Sequence, residues 1–298
     1  MQSKTDGEVL KQLRAYRKIT QTDCCQGIIS RHTYSKIERN QTSLHVHILI
    51  ELLERLNVSY DDFLFLKNGR ITSESYRKKF AAFTKENIQS MDPSELYKAL
   101  KNKKESSMKH FHYYLLCKKR MTELKYGKIE GISKTDLNRL NSYIHGLTFF
   151  STNDLALFSD MCSYLSYQTA KYTSSKIIKQ LEHFSHYYDL TQAYQQAFHQ
   201  VLYAITSIAL TNHDYLFAQY LLEKTKEFIF KFPNHYYLVM FHLNTDSLNY
   251  QKTKNSYYLT KLFVLKDYMK IVEDYALADT IEGQIRSLLD HSSSLPTK

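Results

Sequence analysis

Residues 7–41, GEVLKQLRAYRKITQTDCCQGIISRHTYSKIERNQ, and residues 51–66, ELLERLNVSYDDFLFL, decide how the chain is read. Val9, Leu10 and Leu13 recur at helical spacing, so a first helix is predicted over residues 7–18. Thr20 is placed to cap a second helix. Gln21 then falls in its first turn, where side chain and backbone N–H groups can meet a phosphate. Gly27 permits the tight turn that follows, Ile28 and Ile29 pin that turn to the core, and Ser30 caps a third helix.

The third helix reads RHTYSKIER over residues 31–39. Tyr34, Ile37 and Glu38 fall on one face, while Arg31, His32, Thr33 and Lys36 project from the other. In a helix-turn-helix the second helix of the pair enters the major groove N-terminus first, so residues near Ser30 would reach base edges. Arg31 is the candidate for a bidentate contact to guanine, and Thr33 for packing on a thymine methyl or donating to an acceptor. Lys36, Arg39, Gln41 and Ser43, with Gln21, are the candidates for holding phosphates and setting register. Arg14 and Glu38 both flank apolar positions and are read as a buried ion pair joining helices 1 and 3, a scaffold role. His45 and His47 read as helix-surface residues, without a third ligand for a metal.

Composition agrees with a helical, two-part protein. At 298 residues the chain exceeds the roughly 100–200 residues of one domain. It has only seven Gly and three Pro, with no Gly between Gly146 and Gly283, too few for strands joined by tight turns. Apolar residues step by three and four, as in Leu262, Leu265, Met269, Val272 and again in Ala278, Ile281, Ile285, Leu288. An all-α fold is predicted. The net charge of +10 suits a polyanionic partner and is spread, with +3 in residues 1–70 and +7 beyond. Cys24, Cys25, Cys117 and Cys162 form no CxxC pair, so neither a disulfide framework nor a metal site is expected, and Cys24 and Cys25 read as small buried hydrophobes. No signal-like opening and no run of about 18 apolar residues occurs, so a soluble cytoplasmic protein without membrane contact is expected. Nothing resembles a phosphate loop, a nucleophile elbow or an acid–base cluster, so neither catalytic residues nor a cofactor is expected.

Residues 67–74, KNGRITSE, are the expected linker between a module at 1–66 and a second domain at 75–290, with 291–298 a frayed tail. Polar breaks at 101–107 and 126–134, then turns at 211–214, 231–235 and 251–256, space helix pairs about 35–40 residues apart. This spacing predicts a solenoid of antiparallel helices, a degenerate TPR-like repeat without the Trp, Leu-Gly and Tyr landmarks of the strict pattern. An irregular helical bundle is the competing architecture.

Residues 7–63 resemble the Cro/repressor-type helix-turn-helix through Leu13-Arg14, Thr20-Gln21, Ser30, Ser35, Glu38-Arg39, Leu56-Asn57-Val58 and Asp61-Asp62-Phe63. Asn40 stands where that family usually has Gly, and Asn tolerates the left-handed conformation needed there. Cys24-Cys25 replaces the usual Leu-Ala. With its long helical C-terminal region the chain resembles the Rgg/GadR/MutR and PrgX-like peptide-responsive regulators of the RRNPP type. GEVLKQLR and GIISRHTYSKIE carry that resemblance most closely, and FFSTNDLALFSDM at 149–161 and NHDYLFAQYLLEK at 212–224 extend it weakly.

The resemblance implies a solenoid that dimerises, or forms a higher oligomer, and binds a short secreted hydrophobic peptide on its concave face. Such a ligand needs polar side chains for its backbone and apolar pockets for its side chains. The candidates are Asn153, Tyr164, Tyr167, Tyr203, Ser207 and Asn244. Related receptors contact peptide backbone with an Asn on the helix before the AQYLL-like segment, and Ala204 stands there in this chain. The function expected is a homodimeric, sequence-specific DNA-binding regulator of quorum sensing controlled by such a peptide. The alternative is a helical-repeat adaptor that sequesters another regulator without sequence-specific DNA binding.

Overall fold

The computed structural model describes residues 4–68, 79–80, 82–84, 87–88, 90–187 and 189–293. Every regular element among them is helical, in agreement with the all-α prediction. They form two compact units: one takes in the first 99 residues with 120–128, the other 100–119 with 129 onward. Of the expected linker, Lys67 and Asn68 end a helix and 69–74 lie outside the described residues. Of the expected tail, 291–293 continue the last helix and 294–298 lie outside the described residues.

The first unit holds α1 (Asp6–Tyr16), α2 (Gln21–Cys25), α3 (Arg31–Glu38), α4 (Val46–Leu56) and α5 (Tyr60–Asn68). Thr5 caps α1 and Thr20 caps α2, each in a reciprocal box with an acidic residue three positions on, Glu8 and Asp23. The first helix is shorter than predicted, because Lys18 takes a left-handed φ of 55° that a helix interior does not accommodate. Asn40 and Asn57 take the same conformation, at φ 58° and 51°, and end α3 and α4. Val9, Leu10, Leu13, Tyr34, Ile37, Leu52 and Leu56 close one core, each large apolar side chain contributing roughly 1.5–3 kcal/mol when fully buried. Cys24 and Cys25 belong to that core, as expected, and burial pushes the Cys24 thiol pKa up.

One approach in this unit admits only glycine. A Cβ on Gly7 would stand 2.0 Å from the Ile37 carbonyl oxygen, so α1 and the end of α3 touch backbone to backbone there. The Gly7 N–H also donates to Asn40 Oδ1 at 3.2 Å.

Further along the chain follow α6 (Ser94–Lys103), α7 (Met108–Glu123), α8 (Lys134–Gly146), α9 (Thr152–Met161), α10 (Tyr167–Tyr187), α11 (Gln192–Thr211), α12 (Tyr215–Lys231), α13 (His235–Thr253), α14 (Ser256–Ile271) and α15 (Tyr275–Ser293), with α6 and α7 each divided between the two units. In the second unit α9, α11, α13 and α15 pack in succession, while α12 packs on α11 and α13, and α14 on α13 and α15. This nearest-neighbour packing is that of a helical repeat rather than an irregular bundle. Successive pairs begin at Thr152, Gln192 and His235, the first interval at the upper end of the predicted 35–40 residues and the second slightly beyond it. The central helix α13 buries side chains on several faces, including the polar Asn244, Asp246 and Ser247, whereas α14 buries only Leu262 and Met269. Ala278, Ile281, Ile285 and Leu288 are all core residues, as their spacing predicts. Val272 is not: it caps α14 and is 49% exposed.

Candidate nucleic-acid and peptide sites

The candidate DNA site is α3 with the turns on either side of it. Ser30 accepts the Thr33 N–H at 3.1 Å and so fixes where α3 begins, while Gly27, at φ 80°, turns the chain back from α2. Tyr34, Ile37 and Glu38 are buried, which orients the helix and leaves Arg31 and His32 exposed and Thr33 and Lys36 half-buried. Arg31, His32 and Lys36 engage no hydrogen bond or ion pair through their side chains among the described residues, so their donors are available to a ligand. The Thr33 hydroxyl lies 2.9 Å from Ser30 Oγ, and Arg39 Nε donates to the Ser35 carbonyl at 3.1 Å. Gln41 and Ser43 are exposed in the loop that follows.

Arg14 and Glu38 form the ion pair read from the sequence. Arg14 Nε donates to Oε1 at 2.6 Å and Nη2 to Oε2 at 3.1 Å, with the Glu38 side chain 2% exposed. Burial by itself would raise the Glu38 pKa, but donation from Arg14 and Gln21 outweighs it and the carboxyl is held below its ordinary value. Gln21 therefore plays a part not foreseen: its Nε2 donates to Glu38 Oε2 at 2.7 Å, so its side chain is turned toward the scaffold. Arg55 adds a clamp that no local pattern announces, donating to the carbonyls of Asp23 and Gln26 at 3.0 and 3.1 Å. It holds the turn between α2 and α3 from α4, a contact across about thirty residues.

The six peptide candidates separate. Asn153 is exposed in the first turn of α9, and Tyr164 is half-buried in the short 3-10 turn Cys162–Tyr164. The Tyr167 hydroxyl donates to Asp214 Oδ2 at 2.7 Å, beside Lys171 Nζ at 2.5 Å. Because Asp214 caps α12, Tyr167 secures the start of that helix. Tyr203, Ser207 and Asn244 do come together across α11 and α13. Ser207 Oγ donates to Asn244 Oδ1 at 3.4 Å, and Tyr203 and Asn244 both line a small cavity with His199.

A family model described as the C-terminal domain of HTH-type transcriptional regulator Rgg matches residues 94–283, and a helix-turn-helix model matches residues 10–63. The chain belongs to the Rgg family of HTH-type transcriptional regulators. It is a regulator and not an enzyme. No curated protein matches its sequence. Among solved structures it is similar to a protein of Listeria monocytogenes EGD-e described as a candidate transcriptional regulator, at 17% identity over 98% of this chain and 99% of the other, with a TM-score of 0.78. It is also similar to the Streptococcus dysgalactiae SHP pheromone receptor Rgg2, at 15% identity over 95% and 99% with a TM-score of 0.73. For PrgX in complex with cCF10 the identity is 19% over 96% and 92%, with a TM-score of 0.72. At these identities the likeness is one of fold. Within the Rgg family fold, no helix among the described residues is long and apolar enough to cross a membrane, and no group of His, Cys, Asp and Glu is arranged to hold a metal ion.

Proposed function

We propose that this regulator works as a homodimer in the cytoplasm, reads a pseudo-palindromic operator with two copies of α3, and is controlled by a short hydrophobic peptide bound to its helical-repeat unit. The observation that carries the DNA part is α3 itself: a capped helix, anchored by Tyr34 and Ile37, whose opposite face offers Arg31, His32 and Lys36 without side-chain partners among the described residues. Two such helices about 34 Å apart would read half-sites one helical turn apart. Arg31, His32 and Thr33 read base edges, and Lys36, Arg39, Gln41 and Ser43 hold the backbone, with Gln21 contributing N–H groups of the first turn of α2.

The peptide part is supported by the nature of the structural neighbours, which include a pheromone receptor and a complex of PrgX with cCF10 over nearly the whole chain. Such a ligand switches the protein only by binding one arrangement of the dimer better than another. The test is a footprint and gel-shift series on the promoter region with the full chain. Arg31→Ala is expected to weaken operator binding by roughly 1–3 kcal/mol and to relax the preference at one base pair. Wild-type affinity and unchanged preference in Arg31→Ala would remove the groove assignment. Absence of any sequence-dependent footprint would favour an adaptor instead.

A further inference from the structure

Of the sixteen residues of α14 only Leu262 and Met269 are buried, so the helix is seated on α13 and α15 by one edge. What it turns to solvent is not polar. Tyr257, Val264, Tyr268 and Ile271 are 61, 64, 42 and 79% exposed, and their steps of seven, four and three residues put them on one face, opposite Leu262 and Met269. Val272 and Tyr275, where the chain turns into α15, are exposed as well. A contiguous apolar patch of this kind marks an interaction surface rather than an ordinary solvated helix face.

Two features of this face say what covers it. The first is its charge. Residues 252–264 hold Lys252, Lys254 and Lys261 and no acid, whereas residues 265–279 hold four acids, Asp267, Glu273, Asp274 and Asp279, against Lys266 and Lys270. Lys254, Asp267 and Glu273 are all exposed. The second feature is symmetry: Val264 lies midway between Tyr257 and Ile271, so the apolar row reads alike from either end. A face that is apolar along its middle, basic at one end and acidic at the other is complementary to itself when reversed. A two-fold rotation about Val264 sets Tyr257 of one copy on Ile271 of the other and brings the basic end of each beside the acidic end of its partner. Two copies running in the same direction would instead oppose Lys254 to Lys254 and Glu273 to Glu273. Lys261 flanks the row with its ammonium group 2.7 Å from Asp246 of α13, so its stem adds apolar surface without an unpaired charge.

We infer that α14 is a surface through which two copies of this chain join, antiparallel and centred on Val264. The inference rests on the homodimer reading above and deepens it by assigning a surface and a direction.

Sedimentation velocity of the full chain tests the surface. Val264→Glu sets two carboxylates together at the two-fold axis and is expected to weaken self-association by at least about a hundredfold. Leu216→Glu, at an 85% exposed position on α12, is the control and is expected to leave it unchanged, with the same helical circular dichroism in both variants.

Oxidative cross-linking tests the direction, since the four native cysteines are buried. A disulfide needs Cα atoms within about 7 Å. Val264→Cys meets its own equivalent at the axis and is expected to cross-link alone. Tyr257→Cys and Ile271→Cys each stand about 20 Å from their own equivalents along the helices, at about 1.5 Å per residue, and are expected to cross-link only when the two variants are mixed.

A wild-type chain that sediments as a monomer overturns both the homodimer reading and this inference. A wild-type dimer that survives Val264→Glu, or that Leu216→Glu disrupts equally, overturns the surface and leaves the homodimer reading intact. Cross-linking of Tyr257→Cys with itself, or none of Val264→Cys, overturns the antiparallel arrangement.

Discussion

Replacing Gly7 by Ala puts the contact between α1 and α3 to a quantitative test. The added Cβ would lie 2.0 Å from the Ile37 carbonyl oxygen and 2.7 Å from Asn40 Oδ1, where contacts under 3.0 Å essentially never occur. Asn40 can move its side chain; the carbonyl of Ile37 belongs to α3 and moves only with the helix. Restoring a distance of 3.0–3.4 Å separates the two backbones by at least 1.0 Å in a packed core. Overpacking of this kind costs about 1–3 kcal/mol, and weakening the Gly7–Asn40 hydrogen bond adds roughly 0.5–1.5 kcal/mol. The better helix propensity of Ala returns part of this, leaving a net loss of about 2–3 kcal/mol.

Gly27→Ala is the internal control. It meets nothing within 4 Å and suffers only from its φ of 80°, a cost of about 1–2 kcal/mol. Amide hydrogen exchange of α1–α4 in the full chain reads both, because opening of this unit sets the protection of its core amides. Gly7→Ala is expected to lower protection by roughly 30- to 150-fold, and Gly27→Ala by less. Unchanged protection in Gly7→Ala, or a larger effect in Gly27→Ala, would refute the reasoning that a backbone contact fixes α3 against α1.

Two other outcomes follow from buried charge. Glu38→Gln strips Arg14 of its carboxylate, and a loss of about 2–4 kcal/mol is expected in urea unfolding of the first unit, below the value for a fully buried pair because Arg14 is 17% exposed. A double-mutant cycle with Arg14→Met should return a coupling of at least about 1 kcal/mol, and additivity of the two substitutions would show that the pair is not energetically joined. In the second unit, burial pushes the His199 pKa down against the smaller opposite pull of the Phe232 carbonyl. The unfolded chain then binds the proton more readily than the folded one, so stability is complete above the unfolded value of about 6.5 and declines as pH falls below it. Thermal unfolding between pH 7.5 and 5 should show that decline in wild type and a smaller one in His199→Gln; parallel curves would discount His199 as its source.

The helices were legible in the sequence because helical spacing and capping are local. Thr20, Gly27, Ser30 and Asn40 announce their conformations through their own chemistry, and each takes the one expected. Lys18 does not, since Lys has no special preference for a left-handed φ and only the packing of the following turn places it there. Among the candidate DNA residues, Arg31, His32 and Lys36 have no side-chain partner among the described residues, as a helical projection suggests. Gln21 stands in a first turn, where backbone donors can meet a phosphate, but its side chain answers a carboxylate seventeen residues away.

The peptide candidates show the same boundary more sharply. Asn153, Tyr164 and Tyr167 have the right chemistry but sit on other elements from Tyr203, Ser207 and Asn244, and Tyr167 is occupied with Asp214. His199, a lone histidine on an apolar helix, carries no signal of its own in the sequence. What the sequence by itself determined was the all-helical fold, the repeat of helix pairs and the capped third helix, because spacing, caps and left-handed positions depend on neighbours within a turn or two. The tertiary structure decided which donors keep no partner among the described residues and which acceptors the others meet. Hydrogen-bond satisfaction inside a low-dielectric core is settled by whatever residue the packing brings within about 3 Å, however distant along the chain.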